Sequence, residues 1–410
     1  MPIEQLRPDP FNPRQIDDEV LEDLTRSLHG FGNVAPIHAL RENGQIVAGH
    51  QRFVAARRLG HATVPVIWLD LSIEQGRLLG IALNNIGGRF DEQLLARLLA
   101  ELQQVPGIDT TLSGFDTGEI RDLVRSLDAR EIRDRPETFD LDAAIEAASG
   151  QPKTKPGDLI RLGDHVLGCG DSTREADLAK VLEGRGAALA VVDPPFNTAY
   201  TGGHGQTTKR RRPIANDDLA PAAFEAFVRA WVQVLLGAVD GALYVFMSSK
   251  EWPLLARVLA EAGGHWSDTL IWAKDRFTLG RSDYQRGFEP IWYGWREGST
   301  HHWCGDRDQS DVWQIARPAA SPLHPAQKPL PLLERAIENS SRSGDLVLDM
   351  FAGSGSTLIA AVRTGRVWAG LELDPRYCDV IAARWASLTG GEPRWEPADE
   401  TSTSGDGVVS

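Results

Sequence analysis

The sequence predicts an α/β protein, a doubly wound Rossmann-like sheet preceded by a smaller α+β domain. Three observations carry this expectation. From Asp158 onward the apolar runs "ALAVVD", "GALYVFM", "DTLIWAK", "PIWYGW", "LVLDMF" and "WAGLEL" are separated by helical stretches, the pattern of a mostly parallel sheet. One of these runs leads through the glycine-containing stretch "FAGSGS" into a helix. Before them, residues 1 to about 128 mix short strands with amphipathic helices, and 129 to 157 turn charged, then poor in large apolar residues, as a linker does.

In the first unit, Asp17 is placed to cap a helix carrying Val20, Leu21, Leu24 and Leu28, closed by Gly30. "GQIVAGHQRFVAARRLG" (44 to 60) reads as a turn, a short strand and a helix from about His50 to Leu59; "VPVIWLDL" (64 to 71) reads as a strand. Asp91 opens an amphipathic helix through Leu94, Leu95, Leu98, Leu99 and Leu102, and Asp116 with Glu119 forms a capping box for the next. A short helix is expected at 140 to 148 within the linker. The second unit runs from 158 to 390, and 391 to 410 ("GEPRWEPADETSTSGDGVVS") reads as a disordered tail.

With 42% hydrophobic residues the chain can build real cores, yet it has no apolar run long enough for a membrane span. Met1-Pro2-Ile3-Glu4-Gln5 has neither the basic nor the apolar region of a secretory signal. Cys169, Cys304 and Cys378 lie far apart, without disulfide or zinc spacing, so a reducing, cytoplasmic setting and no metal are expected. The net charge of −14 excludes a protein coated in basic surface. The excess acid lies outside 199 to 328, however, where 15 Lys and Arg meet 14 Asp and Glu, and Lys209-Arg210-Arg211-Arg212 is a local cationic block.

Two segments carry chemistry. In 345 to 374 a strand ends at Asp349, Gly353 and Gly355 allow close backbone approach, a helix follows from Thr357, and Glu372 closes a second strand about 20 residues on. A lone Gly-x-Gly could merely pack a helix on a sheet; the ordered strand, loop, helix, strand and acid favour a nucleotide-like ligand whose ribose the acid would hold. No Gly-Lys-Ser/Thr follows, which argues against a P-loop, and the third glycine of a dinucleotide fingerprint is absent. In "VVDPPFNTAY" (191 to 200) a buried strand stops at an acid, two prolines and a ring. An acid and a proline-fixed carbonyl are both hydrogen-bond acceptors, and Phe196 offers a stacking face.

"DMFAGSGST" with "GLELDPRYCDVIAARW", "HPAQKPLPLLERAI" (324 to 337) and Asp193-Pro194-Pro195-Phe196 together resemble the amino-directed DNA methyltransferases. The catalytic segment precedes the cofactor loop, the permuted order of that family's beta class. The resemblance covers about 158 to 390. It implies S-adenosylmethionine as cofactor, bound by Asp171, Lys328, Asp349, Phe351, Gly353, Ser354, Gly355, Ser356, Thr357 and Glu372. It implies that Asp193 and the Pro194 carbonyl accept the protons of an exocyclic amine, that Pro195 helps to hold the turn, and that Phe196 stacks a base flipped out of the duplex. Phe196 stands where the family more often has Tyr, which leaves stacking intact. Asp171 could equally be a helix N-cap, and Lys328 a solvated lysine.

The implied partner is double-stranded DNA, with 199 to about 320 supplying recognition through Lys209, Arg210, Arg211, Arg212, Lys274, Arg276 and Arg281; Trp272 and Trp292 read as core. Asp at position 193 favours adenine-N6, with cytosine-N4 as the alternative. A homodimer and a cognate nuclease are compatible with the resemblance. The first unit is similar to the ParB N-terminal domain, of sulfiredoxin-like fold, in "NPR", "PIHAL", "AGHQRFVAARRLG" and "VPVIWLD". Gly49-His50-Gln51-Arg52 replaces that family's Gly-Glu-Arg-Arg, so nucleotide binding is not implied; Arg52, Arg57 and Arg58 either hold a phosphate or face solvent. A ParB-like DNA-binding factor with a secondary methylase domain is the alternative from another class.

Overall fold

The computed structural model describes residues 1–15, 18–32, 35–84, 89–148, 150–198, 215–278, 283–317 and 327–398. The chain divides into two compact units, Met1–Asp128 and Ala129–Ser410.

In the first unit, β1 (Arg14–Gln15) pairs with β5 (Arg89–Phe90), and β2 (Ile37–Leu40) lies between β3 (Ile46–Ala48) and β4 (Val66–Leu69). Around them run α1 (Asp18–Phe31), α2 (His50–Arg58), α3 (Ile73–Asn84) and α4 (Glu92–Gln103), with α5 (Thr117–Arg133) crossing the boundary between the units. The capping signals act as their chemistry requires. Asp91 accepts from the Leu94 amide, and Asp116 and Glu119 exchange two reciprocal hydrogen bonds of 2.8 Å. Leu95, Leu98, Leu99 and Leu102 are buried, as the periodicity of α4 demands.

The second unit opens with α6 (Leu141–Ala147), capped by Asp140. Its sheet has ten strands: β6 (Leu159–Leu162), β7 (His165–Cys169), β8 (Ala187–Val192), β9 (Val239–Phe246), β10 (Gly264–Thr278), β11 (Arg286–Arg296), β12 (Val312–Gln314), β13 (Leu346–Asp349), β14 (Val367–Glu372) and β15 (Arg394–Glu396). Their order is β12-β10-β11-β9-β8-β13-β14-β7-β6-β15. The five central strands from β9 to β7 are parallel to one another, and antiparallel pairs flank them. The helices of this unit are α7 (Glu175–Leu182), α8 (Pro221–Ala238), α9 (Trp252–Glu261), α10 (Leu330–Ser340), α11 (Ser356–Arg363) and α12 (Pro375–Thr389). Two buried clusters flank the sheet, and Trp272 and Trp292 lie in them, as their apolar strands require.

Where the sequence reads a disordered tail from 391, the structure places β15 on the sheet edge beside β6. Side-chain anchors explain it: Arg161 holds Glu396, the Trp395 indole N–H donates to Thr154 at 3.0 Å, and Lys153 lies over the Trp395 ring. Residues 399–410 lie outside the described residues.

Strand order also sets the site. From β8 the chain proceeds to its neighbour β9 on one side; from β13 it proceeds to β14 on the other. The order therefore reverses between β8 and β13, and in such sheets ligands bind in the crevice outside the carboxyl ends at this switch point. The loop leaving β8 begins with Asp193, and β13 ends in Asp349.

Candidate active site

β8 is buried along its length, so its chain can leave the sheet only at its carboxyl end. Pro194 and Pro195 lack an amide proton and stop the ladder there. Asn197 adopts φ 53°, a left-handed conformation that Asn tolerates better than most residues. Its side chain donates to the Leu219 carbonyl at 3.1 Å and accepts from the Leu219 amide at 2.7 Å. The Thr198 amide donates to Asp217 at 3.2 Å. These bonds tie the turn to Asp217 and Leu219.

Asp193 lies deep in protein yet keeps 30% of its side-chain surface accessible, as a group on the floor of a cleft does. Burial pushes its carboxyl above the ordinary range, while the Lys328 ammonium, 2.7 Å from both oxygens, pulls the other way and favours the anion. Lys328 also lies 3.3 Å from Glu289, which in turn holds Lys274 at 2.5 Å. Burial works against the Lys328 ammonium, but Asp193 and Glu289 together hold its affinity for the proton above the usual value. The Phe196 ring, partly buried, lies 5.1 Å from Lys328.

The glycine loop is braced by the acid that ends β14. The Gly353 amide donates to Glu372 Oε2 at 2.7 Å and the Asp374 amide to Oε1 at 2.9 Å. Each oxygen retains a second lone pair, the acceptor capacity that a pair of ribose hydroxyls needs. Gly353 and Gly355 have φ of 54° and 80°, and a Cβ on Gly355 would stand 3.1 Å from Ile381. Gly355 is the N-cap of α11, so unpaired amides face the loop. The Asp349 carboxylate accepts from the Phe351 amide at 3.0 Å. Ser354, Ser356 and Thr357 are buried, and Phe351 packs edge-on against Phe227 and Trp231. The Gly170 amide donates to the Glu372 carbonyl, which sets Asp171 beside this acid. Asp171 Oδ1 accepts from the Thr173 amide and hydroxyl; the N-cap of α7 is Arg174 instead. These residues fit a nucleoside cofactor: a bracing carboxylate with spare acceptors, glycine backbone and an open helix N-terminus.

Burial pushes the Glu372 and Asp349 carboxyls up to about 7 in each case. A raised acid binds its proton more tightly when folded, so its charge costs stability progressively as pH rises from about 4.5 through about 7. The stability of Glu372→Gln relative to wild type should therefore rise between pH 5 and pH 8. Thermal unfolding of the two proteins across that range checks it; a constant difference would contradict the assignment.

Two lysines have buried partners that the sequence did not indicate. Lys328, implied at the cofactor or else in solvent, is buried on Asp193, because a desolvated ammonium seeks the nearest carboxylates. Lys274, expected on DNA, is only 8% accessible and paired with Glu289. Arg276 is exposed on β10, as a DNA contact requires. Lys209, Arg210, Arg211, Arg212 and Arg281 lie outside the described residues. Three side chains that brace these segments were not marked by the sequence: Asn197, Glu289 and Arg384. Arg384, 1% accessible, donates to the Ser354 carbonyl at 2.8 Å and to Glu137 at 2.5 and 3.1 Å, bracing the glycine loop from behind. Nothing local marks them: Asn197 is an ordinary polar residue, and the charges of Glu289 and Arg384 point to solvent.

Residues 187–384 match the DNA methylase family, 1–84 the ParB N-terminal domain and 93–156 the ParB-methyltransferase HTH domain. The chain is 38% identical over 91 residues to the Type II methyltransferase M2.MboI of Moraxella bovis, covering 21% of this chain and 33% of that protein. It is 31% identical over 140 residues to the Type II methyltransferase M.BglI of Bacillus subtilis, covering 30% and 40%. The matched segments thus span about a third to two-fifths of these curated relatives. A solved structure of an M1.HpyAVI–SAM complex is 19% identical, with a TM-score of 0.40, covering 53% of this chain and 98% of that one.

Proposed function

We propose that this chain, which joins a DNA methylase domain to a ParB-like front, transfers a methyl group from S-adenosylmethionine to an exocyclic amine in double-stranded DNA, the N6 amine of adenine by preference. The observation that carries the reading is the switch point between β8 and β13. It sets a proline-fixed acid and a glycine loop with its bracing carboxylate on adjacent strand ends. When bound, S-adenosylmethionine supplies an electrophilic methyl group on a sulfonium.

The chain's own residues do the rest. Glu372 accepts the ribose hydroxyls, and the backbone of Gly353 and Gly355 lets the cofactor approach. The lone pair of an exocyclic amine is delocalised into its ring, so the amine needs acceptors before it can attack. Asp193 takes one of its protons as a hydrogen bond and the Pro194 carbonyl the other, which localises the lone pair toward the methyl group. Phe196 stacks the extruded base. Rate then comes from holding nitrogen and methyl carbon in line. No attacking cysteine is required, and the buried Cys169 is not placed as one. The ParB-like and HTH segments support docking on DNA, and the DNA methylase match together with the relatives' names as methyltransferases supports methyl transfer.

Aspartate at 193 supports adenine over cytosine-N4, since serine is the commoner residue there in the cytosine-N4 enzymes. The test is to incubate the full chain with methyl-labelled S-adenosylmethionine and DNA of mixed sequence, then separate the nucleosides. Labelled N6-methyldeoxyadenosine is expected. Label in N4-methyldeoxycytidine instead would reverse the base preference, and no label in DNA would sink the activity.

A further inference from the structure

Four charged side chains from four separate segments meet on the floor of this crevice: Asp193 after β8, Lys274 on β10, Glu289 on β11 and Lys328 before α10. Two cations balance two anions, but their hydrogen bonds are unevenly shared. Lys328 Nζ bonds both oxygens of Asp193 at 2.7 Å. Lys274 Nζ bonds Glu289 Oε1 at 2.5 Å. Glu289 Oε2 is buried, with Lys328 Nζ as its ion-pair partner at 3.3 Å, a longer contact than the other three. A buried carboxylate oxygen held by one long contact keeps acceptor capacity to spare, and that calls for a reason.

Lys328 occupies the very carboxylate that the amine must reach. A neutral amine is a weaker donor than an ammonium and cannot displace it into an apolar wall. The ammonium needs a second anionic seat nearby, and Glu289 Oε2 is one. A shift of roughly 0.5 Å would bring the 3.3 Å contact into the range of a charge-assisted hydrogen bond. The rings of Phe196 and Phe246, each 5.1 Å from Nζ, flank the ammonium on this short path. Lys274 meanwhile keeps Glu289 in place through its other oxygen.

We propose that Glu289 is a positioning residue for methyl transfer, receiving the Lys328 ammonium as Asp193 turns its acceptors to the target amine. This rests on the methyltransferase activity proposed above. The exchange keeps every buried charge paired, and it draws a cation away from the nitrogen that becomes positive as the methyl group arrives. No covalent bond changes in it.

A double-mutant cycle tests the assignment. Glu289→Gln keeps the acceptor for Lys274 but removes the anionic seat, so kcat should fall about 10- to 100-fold with the KM for S-adenosylmethionine nearly unchanged. Lys328→Met removes the group that needs the seat. In that background, Glu289→Gln should lower kcat by less than about threefold. Equal losses in both backgrounds, or wild-type kcat in Glu289→Gln, would overturn the proposal. Calorimetric binding of S-adenosylmethionine shows that each variant is folded; if Glu289→Gln fails it, Glu289→Asp, one carbon short of the seat, takes its place in the same cycle with the same readings. Absence of transfer by the unaltered protein would overturn the activity itself, and is distinguishable from either pattern.

Discussion

Replacing Asp193 by alanine is expected to lower methyl transfer by at least about 1000-fold while leaving S-adenosylmethionine binding nearly intact. The loss has two sources. The side-chain acceptor at the reacting nitrogen disappears, and acceptors preorganised for the transition state carry much of an enzyme's rate. The Lys328 ammonium also remains, now held by Glu289 alone, as a positive charge beside a nitrogen that must itself become positive. Cofactor binding is spared because Gly353, Glu372 and Asp374 hold one another without Asp193. Asp193→Asn should retain more activity than alanine, since its amide oxygen still accepts one hydrogen bond. Label transfer and calorimetry on the same preparations check both halves. Transfer by Asp193→Ala at the wild-type rate would remove the assigned mechanism.

The second large effect is expected far from the chemistry. Glu137→Ala leaves the Arg384 guanidinium buried without its carboxylate, and an uncompensated buried charge costs several kcal/mol. Glu137 keeps 22% of its side-chain surface accessible, so water offsets part of this and about 2 kcal/mol is expected to remain. A drop in Tm of roughly 5 °C should follow for a unit of this size. Because Arg384 also holds the Ser354 carbonyl, S-adenosylmethionine should bind more weakly as well. Differential scanning calorimetry checks the first effect and titration the second. An unchanged Tm would show that the pair contributes nothing to stability.

These two residues mark the limit of what the sequence made legible. The Asp-Pro-Pro-Phe turn and the glycine loop could be read because their physics is local: prolines end a strand, glycines bend a loop, and the neighbouring residues supply the context. The capping box of Asp116 and Glu119 is local in the same way. Asp193 and Lys328 are 135 residues apart, and Glu137 and Arg384 are 247 apart. A lone lysine or arginine carries no sign of a distant partner, and the ordinary expectation for one is solvent. That expectation put Lys274 on DNA when its side chain is buried against Glu289. The same bias read 391 onward as a tail, since "EPRWEP" looks polar until Arg161 and Thr154 meet it.

The clamp of Asn197 on Leu219 ties the proline turn to a residue 22 positions further on. Among the described residues, the Thr198 amide adds a bond to Asp217. The turn is thus moored at two points beyond the strand it leaves, so its shape does not depend on the sheet alone.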